Sequence, residues 1–414
     1  ALFLITDVLV SYEEKCRELK VPVNPALYHL FEEQAVNQQE QEEKRQELEA
    51  EGEEYSEEES NTLDLIFMGN DKYNFKHRLS DKDLVPLTAV LQSYSVFIQH
   101  IDMRFNWIGD AGALVLARLL RETVNLKTLN LQSNSLGANG AVAIAHSLHT
   151  MSSLVYLNMN GNQIETRGCE AFSKLLVTCT KLVELDLGNN AIDHDGIIAI
   201  TTLMIKSGHS LEVLNLENPI FNSVMQETVV HFGKLLSVNR TLQKLSLRKF
   251  RLRCDGVFTL VQHLMDNSTL KVINLSCNEI SAQGAESLAH YLKQDFCNLE
   301  SINLSANKLG DLGAKSIAQA LALNRNLIHI DLTSNLIRDD GLARLAESLF
   351  HNTNLLSFKL FGNHFDQTSL KLFHRLFQTP RPNEWYPDFS TYIVDDAVQM
   401  AYIETEIPYD IFIC

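Results

Sequence analysis

The stretch "LKVINLSCN", residues 270–278, decides the fold. Its apolar residues sit at the first, fourth and sixth positions, a short strand with one buried face, and it ends in Asn278. The same LxxLxLxxN pattern returns as "LKTLNLQSN" at 126, "LVYLNMNGN" at 154, "LVELDLGNN" at 182, "LESINLSAN" at 299 and "LIHIDLTSN" at 327, a period of about 28 residues. Most copies continue with an apolar residue, a Gly and a segment such as "GAVAIAHSL" (140–148) or "GAKSIAQAL" (313–321), apolar at i, i+3, i+4 and i+7. Each unit therefore reads as strand, turn and helix. Neither piece buries its apolar face alone, so successive units must stack. Paired strands sit about 4.8 Å apart and packed helices roughly 8–10 Å apart, so the predicted stack curves, with strands concave and helices convex.

The ninth position repeats as a ladder: Asn106, Asn134, Asn162, Asn190, Asn278, Asn307, Asn335 and Asn363. A carboxamide both donates and accepts, so these residues are read as structural, pairing backbone groups where strands turn away from their neighbours. Two units depart from the pattern. Pro219 holds the ladder position in the unit from 211, which stretches to 31 residues, and Phe250 holds it in the unit from 242.

The pattern resembles the ribonuclease-inhibitor-like class of leucine-rich repeat proteins. The resemblance implies an α/β curved solenoid, a horseshoe with parallel strands inside and α-helices outside. It covers residues 98–378, with an irregular earlier copy, "TLDLIFMGN", at 62–70. The predicted organisation is a helical N-terminal cap (1–39) broken at "VPVNP", an acidic disordered loop (40–61), about ten to eleven repeats (62–378) and an aromatic-rich extended C-terminal tail (379–414). The irregular repeats, with "VPVNPALYHLFEEQA" (21–35), "GAVAIAHSL" and "FSTYIVDDAVQMAY" (389–402), resemble the leucine-rich repeat-containing protein 34 family more narrowly. That resemblance implies a non-enzymatic interaction protein of nucleolar and cytoplasmic settings. Similar repeat proteins are fixed subunits of ciliary and flagellar axonemes. Others in the class act as GTPase-activating proteins of the Ran system or as nuclease inhibitors, the two alternative functions.

Composition fits a protein-binding role. The formal net charge is −17 and hydrophobic residues make up 45% of the chain, ordinary for a packed domain. The acidic balance disfavours a nucleic-acid groove, which needs Lys and Arg against phosphate. No apolar run reaches the roughly 20 residues of a membrane span, and "ALFLITDVLV" is a poor signal peptide. Seven cysteines, an odd number without CxxC spacing, point to free thiols and an intracellular location.

The search for chemistry predicts no enzyme, cofactor, metal or small-molecule substrate. "LGDLGAKS" (309–316) misplaces the lysine of a phosphate loop, since Ala314 separates Gly313 from Lys315. His146 and His149 lack further ligands at zinc-binding spacing. Asp102 and Asp186 lie three strands apart, roughly 14 Å, too far for an acid–base pair.

The expected partners are other proteins, within a larger assembly. "LRKFRLR" (247–253) is the basic candidate. Arg248 faces Glu217 across one strand spacing, leaving Lys249, Arg251 and Arg253 on the turn with Lys244 nearby. Glu184, Asp186 and Glu217 form a small acidic counterpart, and the aromatics Trp385, Tyr386, Phe389 and Tyr392 of the tail complete the candidate contacts. Residues 40–59 hold eleven Glu against one Lys and one Arg, a run expected to be solvated.

Overall fold

The computed structural model describes residues 4–51, 62–206, 209–221, 226–380 and 384–404. Its chain falls into two compact units, residues 1–203 with 207–211, and 204–206 with 212–414.

The first unit opens with helices α1 (Ile5–Leu19) and α2 (Pro25–Glu51). Ile5, Val8, Tyr12 and Cys16 form the buried stripe of α1, at the spacing of one helical face. Tyr12 meets Phe31 of α2 edge-on at 6.0 Å. The carboxamide of Asn24 joins this cap to the next element: its Nδ2 donates to the His77 carbonyl at 3.0 Å and its Oδ1 accepts from Ala26 N. Residues 40–51 correct the expectation of a disordered loop, because α2 continues through them. The segment is rich in Glu, Gln, Lys, Arg, Ala and Leu, the strongest helix formers. Its charges also pair one turn apart, Arg45 to Glu42 at 2.8 Å and Gln39 to Glu43 at 3.1 Å. The rest of the acidic run, residues 52–59, lies outside the described residues.

The repeats follow. Strands β1 (Leu63–Ile66), β2 (Ile98–Asp102), β3 (Thr128–Asn130), β4 (Tyr156–Asn158) and β5 (Glu184–Asp186) pair in sequence order, all parallel. They alternate with α3 (Asp81–Leu91), α4 (Asp110–Leu120), α5 (Ala138–Leu148), α6 (Glu165–Ser173), α7 (Leu175–Thr178) and α8 (His194–Lys206). In the second unit β6 (Val213–Asn215), β7 (Lys244–Ser246), β8 (Val272–Asn274), β9 (Ser301–Asn303), β10 (His329–Asp331) and β11 (Ser357–Lys359) pair in the same way. Their helices are α9 (Gln226–Val238), α10 (Arg253–Leu264), α11 (Ala282–Leu292), α12 (Gly310–Leu323), α13 (Asp339–His351) and α14 (Gln367–Phe377). The core lies between strands and helices. Leu270, Ile273 and Leu275 of the deciding stretch are all buried, as are Leu288 and Leu292 of the following helix.

The turns obey a rule that the consensus letters do not display. The eighth position has a left-handed backbone in repeat after repeat: φ is 59° at Phe105, 53° at Ser133, 54° at Asn189, 57° at Cys277 and 55° at Ala306. Among the described residues, Gly161 and Gly362 fill this left-handed position with the residue that adopts the conformation freely.

The tail is no loose extension as far as it is described. Strands β12 (Phe389–Val394) and β13 (Ala397–Tyr402) form an antiparallel hairpin, closed by Asp395 and Asp396, both at positive φ, as a tight hairpin turn requires. The side chain of Gln367 on α14 clasps Val398 from both sides, donating to its carbonyl at 2.8 Å and accepting from its N–H at 3.1 Å.

Candidate protein-interaction surface

Strand side chains alternate, so the third, fifth and seventh positions of each repeat face away from the core. In the first unit they form a polar net. His100 Nδ1 meets Thr128 Oγ1 at 2.9 Å, and Asn160 Nδ2 donates to Asp186 Oδ1 at 3.0 Å. Burial holds the carboxyls of Asp64 and Asp102 above their ordinary range. In the second unit the third-position row Ser301, His329 and Ser357 is fully buried. There burial and the charge of Lys359 push the His329 imidazole down to about 3.

The ladder asparagines bind backbone across repeats. Asn307 Nδ2 donates to the carbonyls of Leu275 (3.0 Å) and Leu304 (2.8 Å), while its Oδ1 accepts from the N–H groups of Asn278 and Ile280. Asn106, Asn134, Asn162, Asn190 and Asn278 repeat this geometry, and Asn363 receives Asn335 N and Ile337 N. Asn335 differs: its Nδ2 donates normally but its Oδ1 has no partner among the described residues. The preceding turn enters α12 through Gly310 at φ 57°, whose N–H bonds the Asn335 backbone carbonyl instead. These residues are frame, not contact surface.

A second ladder escaped the sequence reading. Asn267, Asn324 and Asn352 stand three residues before the leading Leu, at the end of a helix. Each Nδ2 donates to the preceding repeat, to Leu236, Leu292 and Leu321 carbonyls at 2.7 Å, and each Oδ1 caps its own loop. The recurrence NxxL was its signal.

Where the main ladder lapses, Phe250 is fully buried and meets Phe221 and Phe232 edge-on, both at 5.6 Å. The basic stretch is divided around it. Arg248 Nη1 lies 3.8 Å from Glu217. Arg253, expected to lack a role in the repeat, instead lies 3.7 Å from Glu279 of the next turn. Lys249 is half-buried and Arg251 exposed, both at positive φ, and neither has an ion-pair partner among the described residues. Lys244 sits on β7, paired with Val213 and Val272. Glu184 and Asp186 lie on β5 in the first unit and Glu217 follows β6 in the second.

The tail aromatics divide as well. Phe389 is fully buried among Phe365, Phe373 and Phe377 at 5.1–5.3 Å, leaving no face for a partner. Trp385 packs edge-on over Phe358 at 5.0 Å, and Tyr386 N donates to the Leu356 carbonyl as a further strand would. Tyr392 alone of the four is exposed, beside Ile393 and Val394. Tyr409, Phe412 and Cys414 fall outside the described residues.

Among the described residues no group of three or more His, Cys, Asp or Glu could hold a metal, no helix is long and apolar enough to cross a membrane, and the six cysteines are unpaired thiols. Lys315 of the phosphate-loop-like stretch pairs with Asp340 on the next helix.

A family model described as a leucine-rich repeat matches residues 94–117, 124–145, 150–173, 178–200, 266–289, 297–318 and 323–346. The chain carries leucine-rich repeats. The segment the model skips, 201–265, contains Pro219 and Phe250, where the leucine-rich repeat pattern lapses. Curated relatives carry the name leucine-rich repeat-containing protein 34: the mouse protein is 30% identical over 86 residues, 21% of each chain. The rat protein is 32% identical over 75 residues (18% of each), and the human one 34% over 70 residues, 17% of this chain and 15% of that protein. The matches thus span about a fifth of those relatives' lengths. Among solved structures, the crystal structure of a TLR13–ssRNA13 complex aligns with 76% of this chain and 37% of its own at 17% identity and a TM-score of 0.41.

Proposed function

We propose that this leucine-rich repeat chain is a non-enzymatic protein-interaction scaffold, a fixed member of a larger assembly. One observation carries the reading: the frame is constant while the outward side chains change. At the third strand position the first unit presents His100, Thr128, Tyr156 and Glu184, all half-buried, and the second presents Val213 and Lys244, whereas its Val272, Ser301, His329 and Ser357 are buried. A rigid array with a varied face recognises shape and charge without chemistry of its own. The partial likeness to leucine-rich repeat-containing protein 34 supports an intracellular setting, either an axonemal subunit of cilia or flagella or a nucleolar and cytoplasmic adaptor. Proximity labelling with the full chain, in ciliated and non-ciliated cells, tests both levels. Enrichment of axonemal proteins confined to ciliated cells assigns the first setting, nucleolar proteins in both cell types the second. Enrichment of nothing over background overturns the scaffold reading.

One observation favours a second reading. Arg251 is an exposed arginine on a turn with no ion-pair partner among the described residues, as a residue inserted toward a GTPase's phosphates must be. Acceleration of GTP hydrolysis at catalytic amounts of the chain, lost in Arg251→Ala, would replace the scaffold by a GTPase regulator.

A further inference from the structure

The first repeat carries an aromatic outcrop that the frame does not explain. Helix α4 starts four residues after the ladder Asn106, but α3 starts eleven after Asn70, and the extra chain reads "DKYNFKHRLS", residues 71–80. This insertion is firmly built. Asp71 accepts from Tyr73 N at 2.8 Å through its side chain and from Phe75 N at 2.9 Å through its carbonyl, and Asn74 Nδ2 donates to the Met68 carbonyl. The end of the loop is tied to the next turn, where Leu79 N donates to Asn106 Oδ1 and Trp107 N to the Leu79 carbonyl, both at 2.8 Å.

On this platform Tyr73, Phe75 and Trp107 are 54%, 57% and 56% exposed. Burying an aromatic side chain of this kind is worth about 1.5–3 kcal/mol, so three rings left more than half exposed on a hydrogen-bonded loop mark a contact site. Arg78 lies over two of them, its guanidinium carbon 4.5 Å from the Phe75 centroid and 5.5 Å from Trp107. Its Nε donates to the Gly69 carbonyl at 3.0 Å, while its two terminal nitrogens make no hydrogen bond among the described residues. A guanidinium so oriented presents a two-toothed donor edge that fits a carboxylate.

The surrounding charge is complementary to an acid. Lys72, Lys76 and Lys82 are exposed and have no ion-pair partner among the described residues. Three local carboxylates are turned toward backbone: Asp71 to Tyr73, Asp81 to Gly109 N and Asp83 to Ser80. Glu32 and Glu33 remain beside His29, whose ring lies 4.7 Å from Tyr73.

We propose that Tyr73, Phe75, Trp107 and Arg78 form a docking site for a peptide segment of a partner protein in which an acidic residue neighbours an aromatic one. The carboxylate takes the free edge of Arg78 and the ring packs on Phe75 and Trp107. Aromatic and arginine anchors of this kind dominate binding energy at interfaces, and their fixed geometry lowers the ordering cost. A protein segment fits better than single-stranded RNA: one guanidinium and three lysines do not form a track for a phosphate backbone. The site rests on the scaffold reading and gives it a partner class.

The test is fluorescence anisotropy on the full chain with three labelled probes: a short peptide alternating Glu and Phe, its Gln-for-Glu counterpart, and a uridine oligonucleotide. The expected result is saturable binding of the first peptide, weakened at least about tenfold by Phe75→Ala, by Trp107→Ala and by replacing Glu with Gln, and clearly weakened by Arg78→Lys. Melting curves of the variants must match the wild type; the exposed Phe75→Ser serves if Trp107→Ala melts early. No binding, binding indifferent to these substitutions, or tighter binding of the RNA overturns the proposal. Failure here and failure of the scaffold separate in the proximity-labelling experiment. Partners unchanged by Phe75→Ala sink only this site, whereas no partners at all sink the scaffold.

Discussion

Two stretches of the second unit, with one repeat between them, solve one problem with different chemistry. In the repeat that ends at Asn307, five backbone groups converge on a carboxamide. In the repeat that ends at Phe250, a ring with no hydrogen-bonding capacity fills the same place against Phe221 and Phe232. Yet the turns agree: φ is 55° at Ala306 and 56° at Lys249, each just before the ladder position. Adjacent turns also link alike, with Lys249 N to Ser276 O at 3.1 Å and Cys277 N to Ser305 O at 3.0 Å. The neighbouring turn dictates the backbone path, and the ladder side chain stabilises the path by whichever means it has.

That comparison can be broken by experiment. Asn307→Leu should cost most, about 5 kcal/mol, since several buried groups lose partners at about 1–3 kcal/mol each; urea denaturation reads it, and a loss below 1 kcal/mol would show that the hydrogen bonds are dispensable. Phe250→Ala should cost about 3–5 kcal/mol through its cavity, and Phe250→Asn should fail to restore it because the surrounding rings cannot offer backbone partners. A third outcome concerns pH. The folded-state pKa of His329 is lowered to about 3 from an ordinary 6.5, so the unfolded chain binds the proton first and stability falls as pH drops below 6.5. Between pH 6.5 and 5 the loss should be about 2 kcal/mol, and His329→Phe should flatten that slope. Asp331, whose carboxyl is raised by burial, acts with the opposite sign. Smaller still, Ala306→Gly should stabilise by up to about 1 kcal/mol, because a left-handed exposed residue loses its steric penalty. Arg248→Ala should change stability least, by under about 1 kcal/mol, because its guanidinium is partly exposed and stands 3.8 Å from the buried Glu217, at the long end of ion pairing.

The repeats were legible because their signal is redundant: each strand repeats the same apolar spacing, and each Asn repeats the same need for backbone partners. The left-handed eighth position was not, since Phe105, Ser133, Cys277 and Ala306 share no chemistry and are driven there by their neighbours. Charge runs misled in both directions. Glu, Gln and Arg between 40 and 51 looked like a solvated loop but extend α2 by local pairing. Arg253 looked idle because its partner Glu279 lies one turn further along the array. The outcrop at Tyr73, Phe75, Arg78 and Trp107 was hidden for a different reason: Trp107 joins it only after the loop folds back through Asn106.

The carboxylate of Asp388 accepts from Leu360 N and Phe361 N, both at 2.9 Å; one repeat earlier the matching groups are Leu332 N, which bonds the Lys359 carbonyl of the following strand, and Thr333 N, which bonds the Asp331 side chain of its own strand. A parallel sheet built this way is a template, and its last row invites another copy to continue it. Asp388 is a terminator. It occupies one donor from which growth would proceed, Leu360 N, and at Phe361 N supplies the bond that Lys359 cannot, so the end of the array is written in one side chain as well as in the number of repeats.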